Sequence, residues 1–176
     1  MHPRLAAPRL AAAVLALFLA LAPAAAPAQV AVFARAGAWE AFGGTTDDGK
    51  RLCGISTSGE GSWLGVKYFK GDNGFTIQLS STDWTVKDGE QVKVVMRFDR
   101  LSPWAGAATG FHMSDGDAAL ELEIPADKLA LWLREFRQSN TLLVEFPEAP
   151  DVEDWKVDLA GTTAITDRMI ACMDRL

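Results

Sequence analysis

Histidine is scarce in this chain: of two in 176 residues, His2 lies in an N-terminal leader and His112 stands alone in the remainder. That scarcity excludes metal sites built from clustered histidines and leaves Ser-His-Asp hydrolysis with one possible base. Only two cysteines are present, Cys53 and Cys172, and their separation excludes a Cys-x-x-Cys redox pair. Positive charge is also short, with 17 Lys and Arg against 23 Asp and Glu and a formal net charge of −6. A surplus of carboxylates repels phosphate backbones, and no basic cluster interleaved with aromatics offsets it, which argues against nucleic acid as a partner. The same charge argues against adsorption to anionic lipid. Long apolar runs are confined to Leu10–Leu21, which falls short of the ~20 residues a membrane-spanning helix needs. Internal repeats and low-complexity linkers do not occur beyond the leader.

The leader reads as an export signal. It has a basic start (His2, Arg4, Arg9), the apolar run, and the small-residue ending Ala26-Pro27-Ala28, so residues 1–28 are expected to be a signal peptide cleaved after Ala28. No lipobox-like cysteine follows the run, so no lipid anchor and no membrane anchor after cleavage are expected. The mature chain, residues 29–176, would be one domain of 148 residues, long enough to bury a core. Losing Arg4 and Arg9 leaves 15 cations against the 23 acids, a net of −8. Export places the chain in the periplasm or outside the cell, where paired cysteines persist as disulfides.

Beyond the leader the pattern is mainly period two. Leu64, Val66 and Tyr68 alternate with Trp63, Gly65 and Lys67; Lys70-Gly71-Asp72-Asn73-Gly74 makes a hairpin turn; Phe75, Ile77 and Leu79 then form an antiparallel partner. Val92, Val94, Met96 and Phe98 share a face of the longest strand, and Leu120, Leu122 and Ile124 share a face of another. Further strands are expected around Trp39–Phe42, Arg51–Thr57, Ala108–Met113, Leu142–Phe146 and Trp155–Leu159, with Val30–Phe33 a short apolar run before them. The period changes twice. Leu129, Trp132, Leu133 and Phe136 fall at helical spacing and predict a helix over 126–138; Ile165, Met169, Cys172 and Leu176 predict a second over 163–175, with Asp167 in its first turn and Arg175 in its last. Many short strands joined by Gly/Asn/Asp turns predict an antiparallel β-sandwich or open barrel with two late α-helices.

Each candidate site has a plainer reading beside it. Cys53 and Cys172 enclose 119 residues, and a bridge there would constrain the unfolded chain by up to about 4 to 5 kcal/mol in the chain-entropy account. His112 lies in Gly110–Asp117 beside Ser114, Asp115 and Asp117, yet neighbours at a hairpin tip do not supply the convergence of a catalytic triad. Asp115-Gly116-Asp117 lacks the ligand spacing of a calcium loop and reads as a turn. The run Glu148, Asp151, Glu153, Asp154 reads as a solvated face. Of six tryptophans, Trp132 and Trp155 fit core faces by periodicity. Trp63, beside Gly65 and Lys67, and Trp104, in a Ser-Pro loop, are the candidate binding residues, because a part-exposed indole anchors partners.

Several pieces in order carry a likeness. Trp39, then Cys53 within Lys50-Arg51-Leu52-Cys53-Gly54-Ile55, then Trp84-Thr85-Val86-Lys87-Asp88-Gly89 opening a long strand, then Val157-Asp158-Leu159-Ala160-Gly161 before a helix, all behind an export signal, resemble the invasion-associated locus B family of exported bacterial proteins. The terminal helix with Cys172 departs from that pattern and is similar to small periplasmic domains that include accessory proteins of secretion systems. The resemblance implies an exported β-domain with no catalytic residues and no cofactor. The expected function is non-enzymatic binding, with a protein as partner. An inhibitor of a secreted protease and a secretion-system accessory protein are the alternatives, followed by a hydrolase that uses His112 or the acidic loop.

Overall fold

The computed structural model describes residues 29–149 and 152–176. The expected signal peptide, residues 1–28, lies outside the described residues, as does Asp151.

The elements run β1 (Gln29–Ala36), β2 (Trp39–Thr45), β3 (Arg51–Gly59), β4 (Ser62–Phe69), β5 (Gly74–Ser81), β6 (Gln91–Phe98), β7 (Trp104–His112), β8 (Ala118–Pro125), α1 (Ala126–Gln138), β9 (Thr141–Glu145), β10 (Trp155–Asp158) and α2 (Thr162–Met173). All ten strands form one antiparallel sheet in the order β1-β2-β3-β4-β5-β8-β7-β6-β9-β10. The fold is mainly β with two late helices, as the periodicity predicts. The turn after Phe69 joins β4 to β5 as read, with Val66 opposite Ile77 and Leu64 opposite Leu79.

One sheet, rather than two separate ones, encloses the core, so the architecture is the open-barrel form of the expectation. Edge strands β1 and β10 do not pair with each other, but the curl brings their ends together. The Trp39 indole donates to the Asp158 carbonyl at 3.0 Å. Gly161, at φ +96°, passes so close to β1 that a Cβ there would lie 2.5 Å from the Ala36 carbonyl oxygen. Only glycine fits that position.

Inward-facing Ile55, Val66, Ile77, Leu79, Val94 and Leu120 are all at most 1% exposed and fill the barrel. One end is sealed by aromatics. Trp132 stacks on Phe136 within α1 at 5.0 Å, Phe98 meets Trp132 edge-on at 5.6 Å, and Trp39 meets Phe136 edge-on at 5.1 Å. α2 then locks this end. Thr162 Oγ1 donates to the Phe136 carbonyl at 3.0 Å and Thr163 Oγ1 to the Arg137 carbonyl at 2.8 Å, so the start of α2 satisfies carbonyls that the end of α1 leaves open. At its far end Cys172 is bonded to Cys53 of β3, with Cα atoms 6.0 Å apart. Arg51 donates from both terminal nitrogens to the carbonyls of Leu176 and Arg175, at 2.7 and 2.9 Å. A cation on those carbonyls complements the negative end of the helix.

Three local readings need correction. β1 is a full strand of eight residues, where the sequence shows only a short apolar run, because its side chains stay exposed at a sheet edge and so carry no burial pattern. α2 starts at Thr162 and ends at Met173, so Asp167 lies past its first turn and pairs instead with Arg137 of α1 at 2.6 Å, while Arg175 lies beyond its end. Trp104 is the first residue of β7 and not part of a loop, since it pairs with Met96 of β6.

Candidate functional site: the open mouth of the barrel

The end opposite α1 is not sealed by the described residues. Here the β3–β4 turn, the β5–β6 connection and the β9–β10 connection surround a cavity of about 980 Å³, at the upper end of the usual size of a ligand pocket. Trp84 and Trp155 stack on its wall with centroids 5.0 Å apart and planes 15° from parallel. Phe146 meets both rings edge-on, at 5.3 and 5.9 Å. The trio is held by backbone geometry: Val144 of β9 pairs with Trp155 of β10, and the Phe146 N–H donates to Asp154 Oδ1 at 3.2 Å. Trp84 reaches it from the β5–β6 connection, where its backbone N–H donates to the Ser81 carbonyl at 3.2 Å. Phe146 is buried, whereas Trp84 and Trp155 are half-buried. The Trp155 position therefore differs from the full burial its alternation predicts: β10 is the sheet edge and its inward face opens on the mouth.

Trp63 sits on the rim. Its ring lies flat across Gly65, where a Cβ would come within 2.0 Å of Cη2, and the Lys67 ammonium sits 5.2 Å from its centroid. Lys67 also donates to Gln78, whose amide donates to Glu121 Oε2 at 2.6 Å, forming a polar row on the outer face of β4, β5 and β8. Burial pushes the Lys67 pKa down, and the Glu121 carboxylate offsets part of that. Trp104 is elsewhere. It lies opposite Met96, at the end of β6 away from the mouth, and its half-buried indole donates to Glu135 of α1 at 2.6 Å. Its partnership ties β7 to the sealed end.

The mouth is rimmed with acid. Glu60, Asp83, Glu90, Glu153, Asp154 and Asp158 line the cavity, and Lys156 is the one cation among the described lining residues. Two of these carboxylates besides Asp154 accept backbone N–H groups: Glu90 from Lys87 at 3.0 Å and Asp158 from Ala160 at 2.9 Å.

Among the described residues the hydrolase constellations do not assemble. His112 Nδ1 meets Asp88 Oδ1 at 2.7 Å on an exposed surface, and no serine hydroxyl hydrogen-bonds to it among the described residues. Asp115 accepts the Asp117 N–H at 3.2 Å, which makes the Asp115-Gly116-Asp117 stretch a turn closing on itself. In the acidic run, Glu148 pairs with Lys93 at 3.4 Å while Glu153 and Asp154 face the mouth. Among the described residues no cluster of three or more His, Cys, Asp or Glu is arranged to hold a metal ion. Trp84 is the mouth aromatic that the alternation pattern does not single out, whereas Phe146 continues the alternation of Leu142 and Val144. The signal for Trp84 lies in its flanks, since Thr82-Asp83 and Lys87-Asp88-Gly89 are both turn-forming and leave room only for a bridging segment.

No protein-family model matches the chain, and no curated protein does either. Among solved structures, the invasion associated protein B of Bartonella henselae is similar over 80% of this chain and 97% of its own, with a TM-score of 0.57 at 13% identity. That likeness is one of fold, and it is the fold implied by the resemblance read from the sequence.

Proposed function

We propose that this chain is an exported, non-enzymatic binding module that works in the bacterial periplasm or outside the cell and captures a protein at the open mouth of its barrel. The observation that carries the reading is the Trp84–Trp155 stack, half-exposed on the wall of a cavity whose described lining groups form no nucleophile–base hydrogen bond. A stacked pair of part-exposed indoles in a concave site offers a large rigid apolar surface, and Trp is among the residues most enriched as anchors of protein interfaces. Export is supported by the leader pattern and by the paired cysteines, which suit an oxidising compartment. The solved neighbour carries an invasion-associated description, and we extend that association to this chain as a virulence-related role.

The test is capture from envelope extract on the immobilised mature protein, run beside Trp84→Ala and Trp104→Ala. A protein retained by the wild type and by Trp104→Ala but lost with Trp84→Ala supports the reading, and a protease as that protein specifies an inhibitor. Retention indifferent to Trp84, or turnover of ester or peptide substrates that depends on His112, overturns it.

A further inference from the structure

The acids at the mouth are set apart by their convergence on one cavity. Outside it some carboxylates are engaged by cations, as in Arg35–Glu40, Arg97–Glu145, Arg137–Asp167 and Lys93–Glu148, while others, such as Asp72, Glu123 and Asp174, stand unpaired among the described residues but line no cavity with other acids. Among the described residues none of the six lining carboxylates, Glu60, Asp83, Glu90, Glu153, Asp154 and Asp158, is in an ion pair, and all six are exposed. Among the described lining residues Lys156 alone opposes them. Charges of one sign set around a low-dielectric concavity focus their field into it, so the cavity is a region of concentrated negative potential with an aromatic wall.

We infer that the occupant of the mouth is a basic, arginine-bearing peptide segment of a protein partner; this rests on the reading that the mouth captures a protein. Three features select that chemistry. The unneutralised carboxylates attract cations and reject acidic segments. The Trp84–Trp155 wall suits a guanidinium, which is planar and weakly hydrated and packs against indole faces, better than it suits a compact, strongly hydrated ammonium. The volume, about 980 Å³, accommodates several side chains rather than one. The carboxylates of Glu60, Asp83 and Glu153 accept no hydrogen bond from the described residues, which leaves them free to receive a guanidinium fork.

The probe is a short peptide alternating arginine and alanine, titrated into the disulfide-bonded mature protein and followed by intrinsic tryptophan fluorescence. Its lysine and glutamate counterparts are run in parallel. The expected result is binding in the order arginine, lysine, glutamate, weakened by salt, and lowered about tenfold by the double variant Asp83→Asn with Glu153→Gln. A second double variant, Glu123→Gln with Asp174→Asn, removes the same net charge from exposed positions away from the mouth and leaves binding unchanged. Equal losses from the two double variants mean that the acidic chain adsorbs cations over its whole surface, which overturns the inference. So does an arginine peptide that fails to bind while the envelope partner is still lost with Trp84→Ala, a result that keeps the mouth as the capture surface but denies it a basic ligand. Loss of Trp84 dependence in both assays removes the underlying reading as well.

Discussion

The two ends of this barrel use the same residue types to opposite effect. At the sealed end Trp132, Phe136, Phe98 and Trp39 are at most 1% exposed, packed by α1 and locked beneath α2. At the open end Trp84 and Trp155 stack as closely as Trp132 and Phe136 do, 5.0 Å in each case, yet among the described residues no helix covers them. Ring geometry therefore does not distinguish structural aromatics from available ones. What distinguishes them is which element follows: α1 continues β8 over the sealed end, whereas the described residues that frame the mouth lie in turns, connections and strand ends.

The sharpest separation between the ends is in stability. Trp132→Ala empties the centre of the sealed end and is expected to cost about 3 to 5 kcal/mol in urea unfolding, while leaving capture by any folded fraction intact. Trp132→Phe should cost much less, because the indole N–H it removes is buried with no partner among the described residues. A loss below about 1 kcal/mol for the alanine variant would mean that the sealed end is not where the fold is held.

Replacing Cys53 and Cys172 together with serine tests the lock on α2. The expected loss is about 2 to 4 kcal/mol in denaturant unfolding. The Arg51 contacts to the end of α2 remain in that variant, so Arg51→Ala added to it should lower stability further.

At the mouth the balance reverses. Trp84→Ala or Trp155→Ala loses a stacked pair at a half-exposed site, so the expected cost is about 1 to 2 kcal/mol, well under the figure for a fully buried indole, with partner capture lost. Trp104→Ala is the matched control from the other end. It loses the hydrogen bond to Glu135 and about 1 kcal/mol, and calorimetric titration of the partner should be unchanged.

The smallest effect concerns the rim. Burial holds the Lys67 pKa below its ordinary value of 10.5. Below the lowered value both the folded and the unfolded chain carry the proton; between it and 10.5 the folded chain has released a proton that the unfolded chain keeps, so stability rises with pH across that window. Lys67→Met should abolish that rise when unfolding midpoints of the two proteins are compared over the alkaline range.

Sequence legibility follows the same division. The elements that bury one face could be read from period alone: β4, β5, β6, β8 and both helices lie where Val66, Ile77, Val94, Leu122, Trp132 and Ile165 put them. The disulfide could be read from the scarcity of cysteine in a chain with a leader. β1 could not, because an edge strand with exposed Val30, Val32 and Phe33 has no alternation to display. Trp104 reads as a loop residue after Ser102-Pro103 because its pairing with Met96 and its bond to Glu135 join segments far apart in the chain. The mouth was legible only in fragments. Trp63 could be placed on its outer strand face, but Trp84, Phe146 and Trp155 come from segments up to 71 residues apart, and their convergence depends on the strand order β5-β8-β7-β6-β9-β10.

The most direct test uses the six indole N–H signals of the isotope-labelled protein, one for each tryptophan, recorded as the unlabelled partner is added. Signals of Trp84 and Trp155 should shift or broaden first, that of Trp63 on the rim less, and those of Trp104 and Trp132 should stay in place. Movement at Trp104 or Trp132 with Trp84 and Trp155 unmoved would contradict the assignment of binding to the open mouth.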